Sequence, residues 1–345
     1  IIIIIFELFY TMYSLNLTSM FPETFISKAE RTKGNNIRQV FTIFGLVIAF
    51  ILPSLFISDY SDPQYLQQYQ TFGFVIMIIV IIFGIIFLKF GPKEKPEFKD
   101  DYKNAPSFTS SIKICLKSKS FMWYIPAEIA NWFVYGMLPT IVPLYGKFVL
   151  HIEDTLLISL LLGLTFISAA IFITILWKPV VQRIGNRKAW LISMSIWILT
   201  LLPIMFIDNF IIGMIVFFLI GIGLSGSLYI IDLVVSDIID EDETNTGMRR
   251  EASYYGVNAL FLRLTTVLVF LAISSVFTSV GWAVFEPEKI TPEIIFGLRS
   301  LMFIFPAIAL VIAILSIYKY PLDGEKLSQL KSELQKIHDK KKSLL

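Results

Sequence analysis

The sequence has little of what a soluble enzyme is built from. One cysteine, Cys115, leaves no partner for an intramolecular disulfide and no Cys-based structural zinc site. Two histidines, His151 and His338, are scant material for His-based catalysis, and neither His-Glu-x-x-His nor Gly-x-Ser-x-Gly occurs. Charged residues make up 16% of the 345, against roughly 25% in an ordinary soluble domain. A net charge of +2 supplies no basic field for nucleic acid. What fills the chain is apolar: 56% of it is hydrophobic, with 31 Phe. A globule must cover its outside with polar groups, so this much apolar surface cannot be hidden in one soluble core. The composition selects an all-α polytopic membrane protein, with no enzyme, cofactor or metal site expected.

Nine mostly apolar stretches have the length of a helix that crosses the hydrocarbon core: 1–21, 37–57, 70–90, 121–148, 155–177, 189–207, 209–235, 257–284 and 296–318. Strands of a membrane barrel would alternate polar and apolar residues, and runs such as Phe74 to Phe87 do not. Segments 20–38, 89–120, 178–188, 236–256 and 319–345 hold 25 of the 29 Lys and Arg. The loops between them hold two, and Arg263 and Arg299 fall inside spans. By the positive-inside rule the basic segments and the carboxyl tail are cytoplasmic, and residue 1 starts at the outer face.

The chain opens with Ile1–Ile5 inside a hydrophobic run, without an initiator methionine or the n-region of a signal peptide. An odd number of spans that begins outside is what a protein missing its opening segments would show. The Lys-rich stretch with Pro92, Pro96 and Pro106 divides three spans from six. The expected organisation is a partial N-terminal bundle over 1–90, a cytoplasmic linker over 91–120, a C-terminal six-helix bundle over 121–318 and a cytoplasmic tail over 319–345. In the tail, Leu327, Leu330, Leu334 and Ile337 share one helical face among lysines. That face suits the inner leaflet, the underside of the bundle or a solvated, frayed end alike.

Between the seventh and eighth spans lie Asp237, Asp240, Glu241, Asp242 and Glu243, followed by Arg249, Arg250 and Glu251. Opposite charges on neighbouring helix ends can hold an inner gate shut; as a solvated loop they would contribute at most about 1 kcal/mol per pair. The run Asp237-x-x-Asp240, Gly247, Arg249-Arg250-Glu251 and Tyr255-Gly256-x-Asn258 resembles the signature of the glycoside–pentoside–hexuronide:cation symporters, the melibiose-carrier-like branch of the major facilitator superfamily. Phe21-Pro22-Glu23 through Glu30-Arg31, Asn35 and Arg38-Gln39 resembles the loop between that family's fourth and fifth helices, and Phe121 through Pro143-x-Tyr145 its seventh helix. Glu241 and Glu243 stand where the family often has aromatic residues, so the loop is unusually acidic.

The resemblance implies the major facilitator fold with about nine of twelve transmembrane helices, residue 1 falling at the start of helix four. It also implies a monomeric carrier in the plasma membrane that moves a sugar or glycoside with Na⁺ or H⁺ by alternating access, its partners being the solute, the coupling cation and the bilayer. Lysolipid or other solute carriage is the alternative on the same fold, and a non-transporting membrane sensor is a third reading. The turn Lys178 through Lys188, with Arg183, Gly185 and Arg187, looks like the superfamily's cytoplasmic motif, so Arg183 and Arg187 join Asp237, Asp240, Arg249, Arg250 and Glu251 as inner-gate candidates.

An ionisable group inside the membrane costs several kcal/mol unless paired or hydrated, which makes such groups good site-finders. Arg263 lies about ten residues into its helix, near the midplane, where the resembled carriers have a functional lysine; a structural interhelical pair is the other reading. Glu128, with Asn131 and Trp132 close behind it, can bind a cation or proton, accept hydrogen bonds from sugar hydroxyls, or serve as a paired structural acid. Glu7 lies two residues from the acidic cation-site position that the resemblance places at Phe9. Arg38 matches an Arg associated with substrate in the resembled family. Trp123, Tyr124 and Tyr135 can stack on sugars or simply pack. Gly221-Ile-Gly223-Leu-Ser-Gly226 spells a dinucleotide fingerprint, but it lies in a span-length apolar run without a βαβ unit, where small residues serve helix packing.

Overall fold

The computed structural model describes residues 2–57, 66–93, 107–281 and 290–343, and among them there is no strand. The helices are α1 (Ile2–Thr24), α2 (Lys28–Phe56), α3 (Leu66–Phe90), α4 (Phe108–Lys117), α5 (Lys119–Phe148), α6 (Thr155–Phe172), α7 (Lys178–Ile184), α8 (Asn186–Leu201), α9 (Phe210–Thr246), α10 (Glu251–Ser279), α11 (Pro292–Met302), α12 (Ile304–Tyr318) and α13 (Gly324–Ser343). A π-helical turn, Ile173–Trp177, carries α6 into α7. Each of the nine expected spans overlaps a helix, and among the described residues six helical stretches are long and apolar enough to cross a membrane by length and composition.

Three boundaries differ from expectation. The span expected to end at 235 continues as α9 to Thr246, because its acidic last turns are neutralised by cations from other segments and need no loop to reach water. The last span is broken at Phe303, where φ −128 and ψ −57 depart from helical values and divide α11 from α12. Part of the expected linker is the helix α4; residues 94–106 lie outside the described residues.

Local chemistry sets the ends. The Asn209 side chain accepts from the amides of Ile211 and Ile212 and starts α9. Gly247, at φ +72, ends it in the left-handed conformation that glycine adopts without penalty. Pro126, Pro139 and Pro143 lie within α5 and each removes a backbone donor.

In the C-terminal bundle α5 packs on α10, α11 and α12, while α9 packs on α6 and α8. The apparent fingerprint is a packing face. A Cβ on Gly223 would sit 2.3 Å from the Cβ of Trp197, and one on Gly221 would sit 2.4 Å from the carbonyl oxygen of Thr165. α1 lies against α10, and α2 against α6 and α9. The helix α13 docks under α9, burying Leu327, Leu330 and Leu334, so the tail takes the underside of the bundle. The basic segments 20–38, 178–188, 236–256 and 319–345 thereby gather at one end. The opposite end joins the segments that hold few cations: Tyr145 donates to the carbonyl of Ile204, and Arg299 to that of Ile207.

Candidate functional site

Two polar clusters stand out in this apolar frame. The first closes the basic end. On α9, Asp237, Asp240 and Glu243 recur every three residues, so they share a broad face of the helix. Arg31 of α2 reaches Asp240 at 2.7 Å and Asp237 at 3.8 Å, and its Nε donates to the carbonyl of Phe25. Arg249, only 1% exposed, donates to Asp240 at 3.2 Å, to Glu243 at 2.6 Å, to Glu251, and to the carbonyl of Pro22 at 2.9 Å. From α13, Lys331 binds Asp237 at 2.6 Å and also Asp240, while His338 and Lys341 each meet Glu243 at 3.0 Å. Asn186 at the start of α8 donates to Asp237 at 2.6 Å. A buried carboxylate is tolerable only when its neighbours return the lost hydration. Asp237, Asp240 and Glu243 each have at least two donors, while Glu251 relies on Arg249, its Oε2 left without a partner among the described residues.

Neighbouring pairs extend this cluster. Arg250 binds Asp242 through both Nε and Nη2. Asp232 accepts from Gln39 at 2.8 Å and pairs with Arg38, whose guanidinium lies 4.1 Å from the centroid of the Phe21 ring. Asn35 donates to the carbonyl of Tyr229, and the Tyr229 hydroxyl to that of Thr32. Nearby, Arg187 fastens the carbonyls of Ile317 and Tyr318 and pairs with Asp323 at 3.6 Å, holding the α12–α13 corner. Together these contacts tie α1 and α2 to α8, α9, α10 and α13.

The second cluster lies within the bundle. Tyr124, Glu128, Asn131 and Trp132 stand at helical spacing on one face of α5, and Tyr255 and Asn258 on one face of α10. Glu128, 2% exposed, accepts a hydrogen bond from Asn258 Nδ2 at 2.9 Å. Tyr124 and Trp132 face the same carboxylate. The second carboxylate oxygen Oε2, the Tyr124 and Tyr255 hydroxyls, Trp132 Nε1, Asn131 Oδ1 and Asn258 Oδ1 are all buried without a hydrogen-bond partner. Asn258, Tyr124 and Trp132 gather about Glu128, while the Asn131 amide donates to the Ala127 carbonyl at 2.6 Å and meets Met194 Sδ at 3.5 Å. So many open polar atoms about one carboxylate mark a polar site rather than finished packing.

The expected residues thus divide. Asp237, Asp240, Arg249, Arg250 and Glu251 come together in or beside the charge cluster, and Arg38 adjoins it. Arg187 serves the adjacent corner. Arg183 is exposed on α7 and stays outside the network. Glu128 and Trp132 meet in the interior site, and Asn131, on the same face of α5, bonds instead to the Ala127 carbonyl and Met194 Sδ. Arg263 is exposed on α10 and its Nη2 donates to Thr11 Oγ1 at 2.9 Å. Glu7 is on α1, its side chain outside the described residues. Sequence reasoning did not place Arg31, Asn186, Lys331, His338, Lys341 or Asn258 in a site. Their partners lie 51 to 209 residues away along the chain, and only the acidic run on α9 hinted that cations must come from elsewhere.

A cavity of about 620 Å³ opens between α5, α10 and α12 on a different face of α5; its wall, including Ile129, Phe133, Leu268 and Ile308, is apolar.

Comparison with known proteins adds the following. The model of the family described as MFS/sugar transport protein matches residues 1–324. An uncharacterized symporter of Synechocystis is 19% identical, with 96% of this chain aligned to 75% of that protein. An Escherichia coli protein, provisionally named as an exporter of 2,3-dihydroxypropane-1-sulfonate, is 23% identical, over 92% of this chain and 68% of its own length. An uncharacterized symporter of Bacillus subtilis is 22% identical, over 90% and 66%.

Proposed function

The chain belongs to the MFS/sugar transport protein family, and from that premise we propose that it is the carrier body of a secondary active transporter which moves a sugar or glycoside together with Na⁺ or H⁺ by alternating access. The observation that carries this reading is the buried charge cluster that links α1 and α2 to the C-terminal bundle at the basic end. A carrier needs one end sealed while its interior site faces the other, and rocking of one bundle against the other exchanges the two. In this reading 1–90 and 121–318 are the moving halves, the sealed end is cytoplasmic, as is α13, and the protein works as a monomer in the plasma membrane.

The interior site supplies groups that suit a polyhydroxy solute. Asn131 and Asn258 can both donate and accept, Tyr124 and Tyr255 offer hydroxyls, and Trp132 presents an apolar face with an N–H. Coupling follows when cation and solute each stabilise the other's bound state.

Counterflow into proteoliposomes tests this. Radiolabelled glycosides, hexuronates and short polyol sulfonates would be offered with and without a Na⁺ or pH gradient. Gradient-stimulated uptake of at least one is expected; no uptake of any would overturn the symport reading. Lysolipid carriage is the second reading, because the apolar cavity of about 620 Å³ has the lining an acyl chain requires. Uptake of a labelled lysolipid in place of the polar solutes would select it.

A further inference from the structure

The interior cluster invites a sharper assignment, one that rests on the carrier reading for its purpose but not for its chemistry. We propose that Glu128 is a proton-binding site that gives and takes the coupling ion, and that Asn258, Tyr124 and Trp132 let it stand in both its charged and its neutral form.

A group that carries protons must be accommodated twice. As a carboxylate it needs donors, and three are at hand: Asn258 Nδ2, already bonded to Oε1 at 2.9 Å, the Tyr124 hydroxyl and Trp132 Nε1. As an acid it has one O–H to donate, and the buried Asn258 Oδ1 and Tyr124 hydroxyl oxygen are acceptors still open to it. Each form therefore finds partners without moving the backbone. The Asn258 Nδ2 and Trp132 Nε1 atoms are N–H donors, which suit the carboxylate and do not themselves ligate a metal cation. Among the described residues no three His, Cys, Asp or Glu converge as a metal site.

The charged surroundings are sparse. Asp232 of α9 is the carboxylate that acts on Glu128, and it is held by Arg38 and Gln39 of α2. On α10, Glu251 is taken by Arg249 and Arg263 reaches Thr11, while Tyr255 faces Tyr124. On α8, Arg187 is committed to the α12–α13 corner, and on α11, Arg299 to Ile207. α6 and α12 contain no Asp, Glu, Lys, Arg or His. Among the described residues no cation is ion-paired with Glu128, which is neutralised by a proton taken from hydronium on the open side, leaving water. The step forms one O–H bond at Oε2, and release breaks the same bond and returns the proton to water on the other side.

Infrared difference spectroscopy on the purified full chain tests this with the proton itself as ligand. The C=O stretch of a protonated carboxylic acid is followed as the pH is stepped through neutrality, in KCl and in NaCl. One band is expected to titrate, to vanish in Glu128→Gln, and to keep its midpoint when Na⁺ replaces K⁺. Asn258→Ala removes the donor already bonded to the carboxylate, while the neutral acid keeps the Tyr124 hydroxyl oxygen as an acceptor, so it should raise proton affinity about tenfold; a merely structural amide would leave the midpoint in place. This variant also decides the matter if Glu128→Gln does not fold. Absence of a titrating band, its survival in Glu128→Gln, or a midpoint that moves with Na⁺ would each overturn the proposal, the last in favour of an alkali-cation site. A failed counterflow panel with this titration intact would remove the carrier reading alone.

Discussion

Arg249 sits where one guanidinium meets Asp240, Glu243, Glu251 and the Pro22 carbonyl, so its five N–H groups are largely consumed. Truncation would leave three buried acids short of a donor, and breaking a buried ion pair from one side typically costs about 3–5 kcal/mol. Arg249→Ala is expected to lower the thermal unfolding midpoint in detergent markedly. Arg249→Lys should restore only part of it, because an ammonium cannot serve three carboxylates from one plane. In an Arg249→Ala/Asp240→Ala double variant the loss should be smaller than the sum of the two singles; additive losses would mean the pair is not coupled.

Cys115 offers a second reading at this scale. It lies buried on α4 with its thiol toward the carbonyl of Ser253, and burial foremost pushes its pKa up to about 12. The neutral thiol is thus the folded form. Stability from this group is fully present below the ordinary thiol value and is lost as pH rises through that value toward 12. Maleimide labelling of the native protein should be slow at neutral pH. It should accelerate in Arg249→Ala if opening the charged end frees α4 from α10; equal rates would show that α4 does not follow the cluster.

Among the elements, α9 has the least room. Gly223 places its backbone directly on Trp197 and Gly221 on Thr165, so the face that spells a nucleotide fingerprint is a contact with α8 and α6. Gly223→Ala would force the two helices apart and should cost about 1–3 kcal/mol by overpacking, seen as a lower melting point. A neutral effect would mean that α8 can shift at no cost. The tail helix α13 is held by Lys331, His338 and Lys341 as much as by its leucines. Lys331→Glu would set a carboxylate beside Asp237 and Asp240, and limited proteolysis should then clip α13 much faster than in the unaltered protein. Its leucine stripe was legible in the sequence; its docking place was not, since that depends on acids some 90 residues earlier. The same holds for Asn258, a motif residue whose partner Glu128 is 130 positions away.

At the scale of the molecule, what reads directly from the sequence is solvent and direction. Apolar runs of span length recur as helices, and the alternation of Lys and Arg between loops recurs as a gathering of the basic segments at one end. Distance along the chain hides the rest: Arg31 and Asp240 are 209 residues apart, and no local pattern ties them. The gathering makes a geometric prediction. In a Cys115→Ser background, single cysteines at Ser328 and at Asn209 should label from opposite sides of a sealed vesicle. Labelling of both from one side would dissolve the transmembrane arrangement of α9.

α9 counts 37 residues, which is about 55 Å of helix, against roughly 30 Å of hydrocarbon. Its acids therefore ride on a stalk that projects well past the bilayer. A tilt of about 10° at the midplane would sweep a tip some 30 Å away through about 5 Å, more than any of the contacts there can stretch. In the proposed rocking of the two halves, Arg31 on α2 would part from Asp237 and Asp240 while Lys331 and His338, on a helix docked under α9, keep their partners, so the seal is a latch that would open on the α2 side alone.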